Sequence, residues 1–402
     1  MSAPAREPDD RTPLIHQESP APPEQSPSFL DKTLVKILIG LSSFVILILV
    51  AGLTVFIAIR PHSRRAPSAK DLTSCAWNTL ESRVYVLDVE PIDRTEFLSR
   101  QATLAATLKE EGIDAYITEP SASSLYYFNI SASYSLSERP FLAILSSNGS
   151  FSYLAPEFEL GRIAGLDMVY DEKTIIEWKE EESPYAALKR EIGNGISKVM
   201  VDEQARFFIT SGLEAANFTV LPVSPSITSL RAVKSDAEIE ILQAINQYTI
   251  YVVRSLQQCL QIGITQESLF DAAHTLFSRA GVGLGFWAVV LFGEQAANPH
   301  GGSKGKTLEE GEFVLIDIGS KLYGYNSDVT RTILPDNGVV SEALMDVWYL
   351  VRAAQEVAIE TTSEGTLCSA VDAASRYVDG SSSVAVSFLC NIPNITTSRT
   401  GK

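Results

Sequence analysis

Apolar positions along the chain follow three different patterns. From Ile37 to Ile59 runs an uncharged, almost wholly apolar stretch of 23 residues, ILIGLSSFVILILVAGLTVFIAI. As a helix rising about 1.5 Å per residue, it is long enough to cross a hydrocarbon core of roughly 30 Å. It begins well inside the chain and no small-residue cleavage site follows it, which separates it from a signal peptide. The pattern predicts a single transmembrane anchor over residues 34–59, preceded by a disordered tail over 1–33 and followed by a juxtamembrane linker over 60–85. The tail is rich in Pro, Ser, Asp and Glu and cannot bury a core.

Beyond the linker the pattern alternates. Phe97, Leu98, Leu104, Ala105 and Leu108 recur at helical spacing between Asp93 and Glu111, and Gly112 closes that helix. Short apolar runs at Ala115–Thr118, Phe141–Leu145, Phe151–Leu154 and Val199–Val201 read as strands. Helical patterns stand between them at Pro156–Ala164, Pro184–Ile192 and Arg206–Asn217. Strands alternating with helices over 86–230 predict a self-contained α/β domain.

A second unit is predicted over 231–378. Ser235-Asp-Ala-Glu238 is a capping-box pattern that opens a long helix to about Leu260. Gly263 ends it and Thr265 caps the next helix, which carries Leu269, Leu276 and Phe277. Strands follow at Trp287–Phe292, Glu312–Gly319 and Ser327–Leu334, then a helix over about Glu342–Glu360. Two helices, antiparallel strands and another helix predict an α+β architecture.

Charge and cysteine content narrow the function classes. A net charge of −17 leaves nothing to neutralise phosphates, so nucleic acid is not expected as a partner. Cys75, Cys259, Cys368 and Cys390 show neither metal-ribbon spacing nor a dense disulfide framework. Buried free thiols are the expectation, with one disulfide, of a pairing the sequence does not give, as the alternative in an oxidising compartment. Orientation of the anchor is contested. Arg60, Arg64, Arg65 and Lys70 outnumber Lys32 and Lys36, which favours a cytoplasmic C-terminal side. Against this stand the sequons at Asn129, Asn148, Asn217 and Asn394, all beyond the span. The tail also carries Asp10-Arg-Thr-Pro-Leu14-Ile15, an acidic dileucine pattern of the kind cytosolic adaptors read. Together these favour a type II protein with its bulk in the lumen of a vacuole or secretory compartment.

The candidate chemistry lies in Asp317-Ile-Gly-Ser-Lys-Leu-Tyr-Gly-Tyr-Asn-Ser-Asp328-Val-Thr-Arg-Thr332. Phe313, Leu315 and Asp317 share one face of a strand by the period-two rule, and an aspartate among apolar positions is costly to bury unpaired. Asp328 lies on the return strand beyond Gly319 and Gly324. If the strands pair, the two carboxylates converge as hard oxygen ligands for divalent metal. A surface hairpin with two solvated aspartates is the other reading of that spacing.

The run Gly311-Glu-Phe-Val-Leu-Ile-Asp317 with Gly324-Tyr-Asn-Ser-Asp328-Val-Thr-Arg-Thr332 closely resembles the pita-bread metallopeptidases, in their Xaa-Pro aminopeptidase and prolidase branch. Phe292-Gly-Glu-Gln-Ala-Ala-Asn-Pro-His300-Gly resembles the segment bearing that family's substrate-side histidine. Ala115-Tyr-Ile-Thr and Leu125-Tyr-Tyr-Phe-Asn129 resemble its creatinase-type N-terminal domain. The resemblance covers roughly residues 90–378. It implies a creatinase-like α/β domain followed by a pita-bread domain, and cleavage of the bond before proline in peptides or dipeptides. It also implies two divalent ions, Mn foremost with Zn or Co as alternatives, and a homodimer as candidate assembly. By the same resemblance Asp317 and Asp328 are metal ligands, with Asp328 bridging, and His300 contacts substrate.

The chain departs from the family after Arg376. The family's later histidine segment and two glutamates have no counterpart in the tail over 379–402, and none of the chain's histidines (His16, His62, His274, His300) follows Asp328. Glu342, Glu356, Glu360 and Glu364 have a helical context that gives no reason to name them ligands. The pita-bread domain is therefore expected to be incomplete, with exposed strand edges, weak metal binding and no turnover. The alternative function is a non-catalytic membrane protein that keeps the fold for binding or regulation.

Overall fold

The computed structural model describes residues 41–42, 45–48, 67–134, 138–169, 174–193, 195–298, 300–301, 305–336 and 338–379. Most of the expected anchor, the tail over 1–33 and Asn394 lie outside these residues. Leu41, Ser42 and Val45–Ile48 are helical and exposed. Among the described residues, no helix is long and apolar enough to cross a membrane.

The first correction falls on the linker. From Ala69 the chain is folded: helix α1 (Ala69–Leu80) is capped by Ser68, whose hydroxyl accepts from the Asp71 amide, and runs into a tight 3₁₀ segment over Glu81–Leu87. Leu72, Ala76 and Leu80 make a one-sided stripe at four-residue spacing, and all three are buried. Burying a leucine side chain contributes about 1.5–3 kcal/mol, so Leu72 and Leu80 suffice to seat the helix. Polar residues at Lys70, Asp71, Ser74 and Asn78 dilute the pattern, which is why the sequence reads as linker. The second correction concerns the thiols: Cys75 of α1 is bonded to Cys259, with Cα atoms 6.0 Å apart, and Cys368 is free but exposed. The bond closes over 184 positions, a pairing local pattern does not reveal.

Next comes the α/β lobe. Its elements are α2 (Arg94–Glu110), β1 (Ala115–Thr118), α3 (Ala122–Phe128), β2 (Leu142–Ser146), β3 (Phe151–Pro156), the single turn α4 (Leu160–Ile163), β4 (Ile175–Trp178), α5 (Pro184–Ile192), β5 (Lys198–Val201), α6 (Phe207–Ala215), β6 (Thr219–Pro222) and α7 (Pro225–Ser229). Among the described residues six strands form one sheet in the order β4-β3-β2-β1-β5-β6. β1–β2 and β2–β3 are antiparallel and the other pairs parallel. Period two sorts the strand residues: Tyr116 packs with Leu104, Leu108 and Phe128 on one face, while Ala115 and Ile117 pack with Leu188, Ile209 and Leu213 on the other.

The second lobe opens with α8 (Asp236–Cys259), whose Ser235–Glu238 capping box forms in both directions, and α9 (Gln266–Arg279), capped by Thr265. β7 (Trp287–Phe292), β8 (Val314–Gly319), the short β9 (Lys321–Leu322) and β10 (Tyr325–Asn326), and β11 (Val329–Ile333) follow. Among the described residues β11-β8-β7 make an antiparallel sheet, with β11 and β7 at its edges. α1, α8 and α9 cover it through Leu80, Tyr248, Val252, Leu276 and Phe277, in one core with Ile316 and Ile318. Finally α10 (Glu342–Thr361) and α11 (Cys368–Asp379) pack on each other. Trp348 of α10 donates to the Thr332 carbonyl at 3.0 Å, and only Ala354 and Ala358 of that helix are buried.

Candidate metal-binding hairpin

β8 and β11 pair so that Thr330 stands directly opposite Asp317. Directly opposed residues point to the same face, and faces repeat every second residue. Asp328 precedes Thr330 by two positions, so its carboxylate emerges on the Asp317 side. The solvated-hairpin reading fails at Asp317, which is only 9% exposed and accepts a 2.7 Å hydrogen bond from the Thr330 hydroxyl. Asp328 is exposed, and its backbone amide points at Asn246 Oδ1, 3.4 Å away. Partial burial, then the neighbouring Asp317 carboxylate, push the Asp328 pKa above the ordinary aspartate range. No basic group offsets these effects.

The turn between the two aspartates is clamped from three sides. Tyr323, in the left-handed region at φ 51°, donates its hydroxyl to the Val89 carbonyl at 3.1 Å. Gly324, at φ 86°, lies so close to Leu125 of the α/β lobe that a Cβ there would stand 2.2 Å from Leu125 Cδ2. Tyr325 donates to Glu238 Oε1 at 3.0 Å. Ser327 is fully buried; its hydroxyl meets Thr249 of α8 at 2.7 Å and accepts from the Ser320 amide at 3.0 Å. The register of the aspartates is thus held by tertiary contacts as well as by strand pairing.

Glu238 joins this turn to the first lobe. It is 2% exposed, receives the Ser235 amide at 2.9 Å, and faces Arg100 Nη2 of α2 at 3.5 Å. Arg100 also pairs with Glu96, donates to the Tyr126 carbonyl at 3.1 Å, and lies over the Tyr126 ring at 4.0 Å. These residues border a cavity of about 600 Å³ between α2 and the start of α8. In the sequence Glu238 carries only the signature of a helix cap; its second role depends on Arg100, remote in the chain.

His300 sits exposed in the turn after the 3₁₀ segment Gly293–Ala297, where Gly301 N–H closes on the Asn298 carbonyl at 3.1 Å. No hydrogen bond or ion pair joins it to Asp317 or Asp328. His274 is exposed on α9 and stacks on Phe286, with centroids 5.2 Å apart. Glu342, Glu356, Glu360 and Glu364 are exposed, and Glu356 pairs with Arg352 at 2.9 Å. Among the described residues no group of three or more His, Cys, Asp and Glu side chains gathers in metal-binding range. The donors present fit part of the oxygen shell of one divalent cation, because a cation between Asp317 and Asp328 would offset their mutual repulsion. They do not fit a two-ion centre, which needs further ligands.

Two family descriptions match the chain: the creatinase/prolidase N-terminal domain over residues 100–233, and metallopeptidase family M24 over residues 240–388. An uncharacterized peptidase of Schizosaccharomyces pombe is 37% identical over 371 residues, covering 88% of this chain and 80% of that protein. A probable dipeptidase, PepE, of Mycobacterium bovis is 24% identical over 303 residues, 74% of this chain and 79% of the relative. Among solved structures, the dipeptidase PepE from Mycobacterium ulcerans superposes with a TM-score of 0.64 at 22% identity, over 72% of this chain and 78% of that one. The prolidase from Thermococcus sibiricus gives 0.62 at 24% identity, with the same shares covered. At these identities the structural likeness establishes the fold.

Proposed function

The chain belongs to the M24 metallopeptidases, in the Xaa-Pro aminopeptidase and prolidase branch, and from that premise we propose a membrane-anchored peptidase site directed at the bond before proline in peptides or dipeptides. The observation that carries this is the convergence of Asp317 and Asp328 on one face of a clamped hairpin. Asp317 is held by Thr330 against a dry wall and supplies a fixed oxygen; Asp328, at the solvent edge, supplies a second. Together they would hold a divalent ion, manganese proposed before zinc or cobalt, whose positive charge would polarise a carbonyl and acidify water. His300, exposed and free to turn, is assigned to the substrate side. The runner-up is a non-catalytic membrane protein that keeps the fold for binding or regulation.

The deciding experiment titrates Mn²⁺ into the full-length chain by calorimetry and assays proline release from Xaa-Pro dipeptides and N-terminal residue release from Xaa-Pro peptides. Mn²⁺ binding that disappears in Asp317→Asn and Asp328→Asn supports the site; turnover with it supports the peptidase, and binding without turnover supports the non-catalytic reading. Binding unaltered in both variants would remove the site. Metal-dependent turnover would mean that residues other than those described complete the shell.

For location, we propose that residues 34–59 anchor the chain in lipid and that the folded unit lies on the lumenal side of a vacuolar or secretory membrane. The Cys75–Cys259 bond supports that side over the cytoplasm, where disulfides are rarely kept.

A further inference from the structure

The sequons differ in how the fold presents them. Asn129 caps α3 in the left-handed region, and its Nδ2, the atom that would carry a sugar, donates to the Asp167 carbonyl. The next residue, Ile130, is 2% exposed. Asn217 is exposed at φ 64°, but its carbonyl accepts from Lys189 and the sequon continues through buried Phe218 into β6, whose Thr219 pairs with Lys198. Asn394 lies outside the described residues.

Asn148 is different. It stands in the four-residue connection Ser147-Asn148-Gly149-Ser150 between β2 and β3, with Gly149 at φ 85° closing the turn onto the Ser146 carbonyl at 2.9 Å. Such a connection, with its third residue in the left-handed region, is a common hairpin form. The turn is pinned from below: the Ser147 amide donates to the Asp114 carbonyl at 2.8 Å, and the Ser146 amide to the Ser150 carbonyl at 2.8 Å. Asn148, Gly149 and Ser150 are all exposed, and a Cβ built on Gly149 meets nothing within 4 Å. The Asn148 carboxamide oxygen accepts both the Ser150 amide at 2.9 Å and the Ser150 hydroxyl at 2.7 Å. This Asx turn joins the two defining residues of the sequon through Oδ1, and among the described residues Nδ2 has no hydrogen-bond partner.

We propose that Asn148 is an N-glycan acceptor of the folded unit, an inference that rests on the lumenal reading above. The Ser150 hydroxyl draws electron density toward Asn148 Oδ1, which acidifies the Nδ2 hydrogens so that a base can remove one as Nδ2 attacks. In the transfer, Nδ2 forms a bond to the anomeric carbon of a polyprenyl-diphosphate-linked oligosaccharide. The glycosyl C–O bond breaks with its electron pair leaving on the diphosphate, and the displaced Nδ2 proton passes to a base of the membrane transferase. Asn129, by contrast, is not an acceptor in the folded protein, since its Nδ2 is engaged with the Asp167 carbonyl and a sugar there would stand beside buried Ile130.

The test expresses the full chain in eukaryotic secretory cells and compares gel migration before and after peptide-N-glycosidase. Asn148→Gln and Ser150→Ala are each expected to lose one glycan step, Ser150→Thr to keep it, and Asn129→Gln to migrate as the wild type. Non-reducing peptide mapping of the Cys75–Cys259 bond checks that each variant is folded. Unchanged migration of Asn148→Gln and Ser150→Ala overturns the proposal, as does loss of a step in folded Asn129→Gln. Protease protection of a C-terminal tag in sealed microsomes separates the two levels. A protected tag with no glycan at Asn148 refutes the acceptor and leaves the orientation standing, whereas a digested tag refutes both.

Discussion

Replacing Arg100 by methionine removes the cation that, among the described residues, pairs with Glu238, while keeping an apolar stem of similar reach. Both side chains are nearly closed off from solvent, at 6% and 2% exposure, so water cannot take the place of the guanidinium. Breaking a buried pair from one side costs about 3–5 kcal/mol, because the remaining charge stays desolvated. Glu238 keeps two hydrogen bonds, from the Ser235 amide and the Tyr325 hydroxyl, and the lost contact is 3.5 Å long. Both facts place the pair term at the lower end, about 3 kcal/mol. The Tyr126 carbonyl also loses its donor and the Tyr126 ring its cation, which adds about 1 kcal/mol in all. Arg100→Met should therefore cost about 4 kcal/mol. Adding Glu238→Gln removes the stranded charge while keeping an oxygen for Tyr325, so the double variant should recover about 2 kcal/mol relative to the sum of the singles. Urea denaturation of the full-length chain at neutral pH, followed by tryptophan fluorescence, measures all three. A cost below about 1 kcal/mol for Arg100→Met, or strict additivity, would refute the idea that this pair holds the lobes together.

Two other outcomes follow from the same structure. Cys75→Ser opens a link spanning 184 positions, and loss of such a bond is expected to lower stability by about 2–5 kcal/mol in non-reducing denaturation; a wild-type midpoint that ignores added reductant would count against it. For Asp328 the folded pKa is raised above the unfolded value, so its contribution is present below the unfolded pKa and lost as pH rises through the folded one. Asp328→Asn should therefore raise the melting temperature of the metal-free protein at neutral pH. The advantage should fade on acidification below about pH 4, and a variant that melts below the wild type at neutral pH without metal would contradict the repulsion.

What the sequence made legible depended on how local the cause was. The helix opened by Ser235 was readable because a capping box is written within four residues, and both of its bonds form. β7 and β8 were readable from their apolar runs, and Asp317 stood out because a carboxylate interrupts one. β4 and β6 leave no such run: β6 has no fully buried position, and in β4 the buried Ile176 and Trp178 are separated by exposed Glu177. α1 was missed because its apolar stripe is narrow and its mate, Cys259, lies at the far end of α8. Arg100 and Tyr325 carried no signal, since a buried ion pair is a relation between distant positions and neither residue is unusual alone.

α10 shows the reverse mismatch, a pattern that asks for more than the described contacts provide. Its first three turns carry Leu344, Met345, Val347, Trp348, Tyr349, Leu350 and Val351, apolar on every side, which is the composition of a helix buried all round. Yet Val347 is 55% exposed, Tyr349 58% and Val351 51%. Helix α10 follows directly on β11, the strand that Asp328 introduces, and it is tied to it through Trp348 and Thr332. The exposed apolar residues of α10 and the solvent-facing Asp328 are thus tied to the same strand, β11. Loosening α10 by Trp348→Ala should therefore also weaken Mn²⁺ binding at the aspartate pair, and unchanged binding in a folded variant would refute the coupling.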